Sequence, residues 1–147
     1  MPTAIKRRAR RKNKGEKMTP IPAEFHDLLK DEAKAFLFLA TTMPDGSPQV
    51  TPVWFDAKDG RIRVNTAKGR VKDRNMRARP QIALVILDPK VPYRYLQIRG
   101  RVNRITEEGG DEHISALSMK YEGKPWKKME GQTRVIYEIA PEHVDAH

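Results

Sequence analysis

The spacing of apolar residues changes period along the chain, and each change marks an element. From Glu24 to Ala35 the apolar positions are Phe25, Leu28, Leu29 and Ala33, the three-and-four spacing of a short amphipathic helix. The period then shortens. Phe36–Thr42 is a near-continuous apolar run closed by Met43-Pro44-Asp45-Gly46-Ser47-Pro48, which reads as a strand and a turn. Gln49–Ala57 predicts a second strand. After the tight turn Lys58-Asp59-Gly60, Arg61-Ile62-Arg63-Val64-Asn65 alternates strictly, so the two runs form a hairpin. Arg70–Arg79 predicts a helix that stops at Pro80, which has no N–H to continue it. Gln81–Leu87 predicts a buried strand, ended by Asp88-Pro89-Lys90-Val91-Pro92. Tyr93–Ile105 is a long strand with a bulge or bend expected at Gly100. Glu107–Tyr121 predicts a further helix with Ile114, Leu117, Ser118 and Tyr121 along one side, and Thr133–Ile139 is the final strand.

Six strands thus follow one another in antiparallel order, with three helices fitted between them. The helices do not alternate with every strand, which argues against a doubly wound α/β sheet. A mainly β fold, a six-stranded antiparallel barrel closed or half-closed and flanked by short helices, leaves fewer exposed edges. The 147 residues, 38% apolar, suffice for one core burying roughly two-thirds of the unfolded surface. The longest apolar runs fall far short of the ~20 residues of a membrane span. No apolar stretch follows the basic N-terminus, so the expectation is a soluble, cytoplasmic protein.

Charge divides the chain. Residues 1–17 hold eight Lys or Arg against Glu16, a net +7, and predict a disordered basic arm preceding a domain over 18–147. Residues 61–79 hold eight more against Asp73, again +7, so within a total of +10 the remaining chain nets −4. With no cysteine, disulfides, thiolate metal sites and cysteine nucleophiles are excluded. The four histidines show no ligand spacing within an element, and no serine sits in a nucleophile elbow. Any chemistry then belongs to a cofactor.

One internal segment carries most of the chemistry. In Val64-Asn65-Thr66-Ala67-Lys68-Gly69-Arg70-Val71-Lys72-Asp73-Arg74-Asn75 a strand ends, a glycine loop follows, and a helix begins near Arg70. Cations at a helix N-terminus are unfavourable by roughly 0.3–1 kcal/mol each, yet Lys68, Arg70 and Lys72 gather there. An arriving anion would neutralise them, with Asn65 and Thr66 adding donors, and a phosphate is the natural candidate. Solvated charges on a surface helix are the alternative. The spacing is neither a Walker loop nor a dinucleotide fingerprint. In Gln49-Val50-Thr51-Pro52-Val53-Trp54-Phe55 a proline interrupts a strand beside a tryptophan. Such backbone either lies at a sheet edge or faces a flat heteroaromatic ring. Pro92-Tyr93-Arg94-Tyr95-Leu96 opens the long strand with two aromatics around an arginine, suiting packing or a dimer seam.

In order and spacing these stretches, with Phe38-Leu39-Ala40-Thr41-Thr42, Asp45-Gly46-Ser47-Pro48 and Arg99-Gly100, resemble the flavin/deazaflavin oxidoreductase superfamily. That group has the FMN-binding split β-barrel of pyridoxamine 5'-phosphate oxidase, and the resemblance, over roughly residues 24–141, is to its coenzyme F420-dependent branch. It implies a homodimer with the cofactor in grooves at the subunit interface. Carried over by position, Asn65, Thr66, Arg70, Val71 and Lys72 would surround the cofactor phosphate, with Lys68 and Asn75 nearby. Thr51, Pro52, Val53 and Trp54 would lie along the ring system, and Tyr95 would reach in from either subunit.

The function so implied is hydride transfer from reduced F420 to a small unsaturated or quinone-like acceptor. FMN-dependent oxidase or reductase activity on the same fold and a non-catalytic F420 carrier are the alternatives. Nucleic-acid binding through the arm and residues 61–79 lacks the interleaved aromatic residues that stack on bases.

Overall fold

Strand alternation organises the structure, a computed structural model that describes residues 18–147. The basic arm expected over residues 1–17 lies outside the described residues. Seven strands, β1 (Phe36–Thr42), β2 (Pro48–Val53), β3 (Phe55–Lys58), β4 (Arg61–Ala67), β5 (Gln81–Leu87), β6 (Tyr95–Thr106) and β7 (Arg134–Ala146), form one antiparallel sheet in the order β2-β1-β5-β6-β7-β4-β3. Helix α1 (Val71–Ala78) joins β4 to β5, and α2 (Gly110–Glu122) joins β6 to β7. Every second residue points into the curl. Leu37 and Leu39, Ile82, Leu84 and Ile86, Leu96 and Ile98, Ile62 and Val64, and Tyr137 and Ile139 build one core.

The expected six strands are seven because Gln49–Ala57 is not one strand. It divides at Trp54: β2 pairs with β1, opposing Val53 to Leu37, whereas β3 pairs with β4, opposing Phe55 to Val64. β2 and β3 are the two edges of the sheet yet are neighbours in the chain, so the sheet must curl until its edges meet. Residues Asp59 and Gly60 both take positive φ, 54° and 78°, as the two-residue hairpin between β3 and β4 requires.

Three further differences have local causes. The helix expected from Glu24 is two 3-10 segments, Ala23–Leu29 and Asp31–Ala33, separated by Lys30 in extended conformation. Their bonds run between residues three apart, as from Phe25 N–H to Pro22 O and from Lys30 N–H to Asp27 O, which lets Leu28 enter the core. β7 continues seven residues beyond Ile139, because the register shift at Gly100 seats Pro141 where no ladder donor is needed. β1 and β5 bury only one face. On the other, Phe38 opposes Pro52 and Val85, Ala40 opposes Val50 and Ala83, and Phe36 opposes Leu87, leaving an apolar outer surface. Phe36 is 52% and Val50 63% exposed.

Among the described residues no helix is long and apolar enough to cross a membrane, and no cluster of His, Asp and Glu could hold a metal ion.

Candidate functional site

The break at Trp54 opens a cavity of about 350 Å³ between the two sheet edges, α2 and the start of α1. Its apolar wall is Phe36, Pro52, Val53, Trp54, Ile114 and Trp126, and its polar end is Asn65, Thr66, Arg70, Lys72 and Arg134. Trp54 is braced from behind. Its ring stacks on Tyr121 of α2 at 5.4 Å and meets Trp126 edge-on at 6.3 Å, while the Tyr121 hydroxyl donates to Ala35 O at 2.7 Å. Lys120, buried beside it, donates to Phe55 O at 2.7 Å and so pins α2 to the point where the strand changes partner. Pro52 has no N–H, so that residue of the wall offers the cavity no backbone donor.

The polar end is a cluster of positive charge in which no carboxylate makes an ion-pair contact among the described residues, Asp111 acting on Arg134 only from a distance. Arg70 is the N-cap residue of α1, and no side chain caps that helix. The first-turn N–H groups are therefore open to an anion. Among the described residues, Arg70, Lys72 and Arg134 have no carboxylate within 4.0 Å. Burial pushes Lys72 below the usual lysine range, and the charges of Arg70 and Arg134 push it further. Burial, with help from Arg70, brings Arg134 down to about 10. Among the described residues, the hydroxyl of Thr66 is buried without a hydrogen-bond partner, as is that of Thr51. Unpaired buried groups of this kind are rare in folded proteins and fit a site that a ligand completes.

Asp73 holds the loop that carries these cations. From the first turn of α1 it accepts hydrogen bonds from Gly69 N–H at 2.8 Å, from Arg77 Nε at 2.8 Å and from the hydroxyl of fully buried Tyr137. Burial favours its neutral acid, but the bonds from Tyr137, Gly69 and Arg77 outweigh it and hold the carboxyl below its ordinary value.

Of the residues singled out from the sequence, Pro52, Val53, Trp54, Asn65, Thr66, Arg70 and Lys72 come together around the cavity. Val71 begins α1 behind Arg70, and Thr51 stands next to Pro52 in β2. Four are deployed differently from the reading above. Asn65 offers no donor to a ligand, because its amide donates to Gly110 O at 3.0 Å and to His113 Nδ1 at 3.2 Å while its oxygen accepts from Arg134 Nε at 2.8 Å. Asn75 is buried and donates to the Thr41 hydroxyl at 3.0 Å, tying α1 to β1. Lys68 is paired with Glu107 at 2.9 Å on the surface. Tyr95 lies on β6, three strand spacings or roughly 14 Å across the sheet from β2, where its ring stacks on His147 at 4.8 Å.

Arg134 and Trp126 escaped the sequence reading. Arg134 lay outside the basic segment, at the first residue of a strand, and Trp126 in an unpatterned loop. The available signal was pairing across the sheet: Ala67, at the end of the basic-loop strand, sits opposite Arg134.

Comparison with known proteins agrees with this architecture. The chain is similar to the solved structure of an F420 reductase at TM-score 0.75 and 32% identity, covering 85% of this chain and 98% of that one. A conserved hypothetical protein from Mycobacterium tuberculosis shares the fold at TM-score 0.68 and 23% identity, covering 89% and 86% of the two chains. So does HupZ of Group A Streptococcus, at 0.62 and 19% with 86% and 93% covered. No curated protein sequence is significantly similar. The family model described as pyridoxamine 5'-phosphate oxidase matches residues 21–147, nearly all of the described chain, and with the curled antiparallel sheet it shows that the chain belongs to that family of split β-barrels.

Proposed function

We propose that this protein is an oxidoreductase that binds coenzyme F420 and transfers a hydride from its reduced form to a small unsaturated or quinone-like organic acceptor. The observation that carries the reading is one cavity with two chemically distinct ends. Three cations with no carboxylate in contact among the described residues and an uncapped helix N-terminus suit a phosphate, and the slot between Pro52, Val53 and Trp54 suits a flat ring. Similarity to an F420 reductase at 32% identity supports the deazaflavin over other ring systems.

The bound cofactor supplies the hydride, and the chain's residues bind and orient it. Arg70, Lys72 and Arg134 would hold the phosphate, the Thr66 hydroxyl would gain its missing partner, and Trp54, held by Tyr121, would fix the ring against the sheet edge. Enclosure by a second copy of the chain completes the site. The outer apolar face of β1, β2 and β5 is continuous with the cavity through Phe36 and Pro52, and Leu87 connects it to Tyr95. Two such faces in contact would bury this surface and bring Tyr95 of one copy toward the cavity of the other, a homodimer with cofactor at the interface.

A second reading, FMN on the same fold, is favoured by the charge count, since a phosphate monoester carries more negative charge than a diester. Side-by-side titration of the purified chain with F420 and FMN, followed by cofactor fluorescence and absorbance, decides between them. Micromolar or tighter F420 binding with weaker FMN binding is expected. Equal or tighter FMN binding would remove the deazaflavin assignment. A protein that binds F420 but oxidises its reduced form with none of a panel of enones, nitro compounds and quinones would be a carrier.

A further inference from the structure

A buried arginine normally lies against a carboxylate, because an uncompensated charge in the interior is strongly unfavourable. Arg134, only 6% exposed, does not. Asp111 acts on it only from a distance, and a second carboxylate, Asp56, is linked to it through two neutral side chains. Arg63 donates to both oxygens of Asp56, at 2.8 and 2.7 Å. His113 Nε2 donates to Asp56 Oδ1 at 3.1 Å, and His113 Nδ1 accepts from the Asn65 amide at 3.2 Å. Asn65 Oδ1 then accepts from Arg134 Nε at 2.8 Å. Each donor meets an acceptor only when His113 is neutral with its proton on Nε2, so the directions of all these bonds are fixed together.

The chain ends at the cavity. Arg134 Nη1 donates to Gln132 Oε1 at 3.1 Å, the guanidinium lies 5.2 Å from the centroid of the Trp126 ring, and Nη2 has no partner among the described residues. Gly110 makes this packing possible. A Cβ there would stand 2.2 Å from Arg134 O, so only glycine lets α2 come close enough for its carbonyl to receive Asn65. The arrangement fixes the orientation of the guanidinium through neutral acceptors and leaves it without a carboxylate in direct contact among the described residues. An ion pair made for stability would have done the reverse.

We infer that Arg134 is an anion-binding residue of the cavity, acting beside Arg70 and Lys72, and that Asn65, His113, Asp56 and Arg63 are positioning residues that aim its free Nη2 at the ligand. The ligand is a phosphate-bearing molecule whose anionic portion carries more than one negative charge, or a phosphate with a neighbouring carboxylate. This rests on the proposed function for the phosphate's being that of the redox cofactor, but not for the anion site itself.

The test is a double-mutant cycle on the full chain with Arg134→Ala, Asn65→Ala and the pair, and with Arg134→Lys alone and combined with Asn65→Ala. The probes are F420, FMN and inorganic phosphate, the first two read by fluorescence titration and the last by its effect on Tm. Arg134→Ala should weaken binding about tenfold or more. Asn65→Ala should weaken it about fivefold when Arg134 is present and not at all when it is absent, because its effect passes through the guanidinium. Arg134→Lys keeps the charge but has no Nε–H for Asn65, so binding should be intermediate and insensitive to Asn65→Ala. That pair answers the question if Arg134→Ala does not fold. Additive effects of the two substitutions, or cofactor affinity unchanged in Arg134→Ala, would overturn the inference while leaving the proposed function in place. Stabilisation by phosphate that depends on Arg134, in a protein that binds neither cofactor, would uphold the anion site and remove the redox reading. No stabilisation or binding by any of the three would remove both.

Discussion

Substituting Asp56→Asn replaces one oxygen with an amide at a carboxylate that accepts three hydrogen bonds, two from Arg63 and one from His113. Burial raises the pKa of Asp56, but the hydrogen bonds from His113 and Arg63, with the charge of Arg63, more than reverse this and bring it from 3.8 to about 2. The difference corresponds to about 2 kcal/mol of stability at neutral pH. The folded-state value lies below the unfolded one, so between the two the unfolded chain binds more protons and stability rises with pH. Asp56's contribution is therefore complete above about pH 5 and is lost as pH falls through 4 towards 2. Urea unfolding of the wild type and Asp56→Asn across that range isolates it, because other depressed carboxylates such as Asp73 and Asp27 affect both proteins equally. At pH 7 the variant should be less stable by about 2 kcal/mol, roughly 5–10 °C in Tm for a domain of this size. The two curves should converge near pH 2. A gap that stays constant with pH, or one that widens on acidification, would refute the account of Asp56 as a carboxylate held ionised by its partners.

Arg70→Ala and Lys72→Ala should each weaken cofactor binding by roughly 1.5–3 kcal/mol. Each should leave the stability of the cofactor-free protein level or slightly raised, since a cation leaves the positive end of α1, and calorimetry with cofactor titration checks both parts. Light scattering should report about twice the 16.9 kDa chain mass. Val50→Lys, which puts a charge on the apolar outer face, should shift the protein to a monomer with weaker cofactor binding, and a monomer that binds normally would disprove the interfacial site. Removing residues 1–17 should leave Tm unchanged, because that segment has almost nothing apolar to bury, and a large loss would show that it packs.

Much of the architecture could be read from local pattern. The Asp59-Gly60 hairpin, the helix between Arg70 and Pro80 and the bulge at Gly100 each depend on residues adjacent in the chain. So did the cations at the start of α1, because a helix N-terminus and its charges lie within a few residues of each other. What pattern could not supply was partnership. Nothing within Gln49–Ala57 reveals that its halves pair with opposite edges of the sheet, since both halves are good strand sequence and Trp54 is merely where the sheet's curvature requires the change. The apolar runs of β1 and β5 did not disclose that one face would remain outside, because a strand buried on two faces and one with an apolar outer face have the same composition. Asn65 read as a phosphate donor while its neighbours in sequence were its only visible context. The fold brought Arg134 from 69 residues away and His113 from 48, and these spent its amide on alignment. Sequence alone determined which positions alternate, turn and carry charge, because those are properties of the local chain. Which charges converge without an ion-pair partner was decided only when the sheet closed, because hydrogen-bond saturation and burial depend on groups that only the tertiary structure brings together.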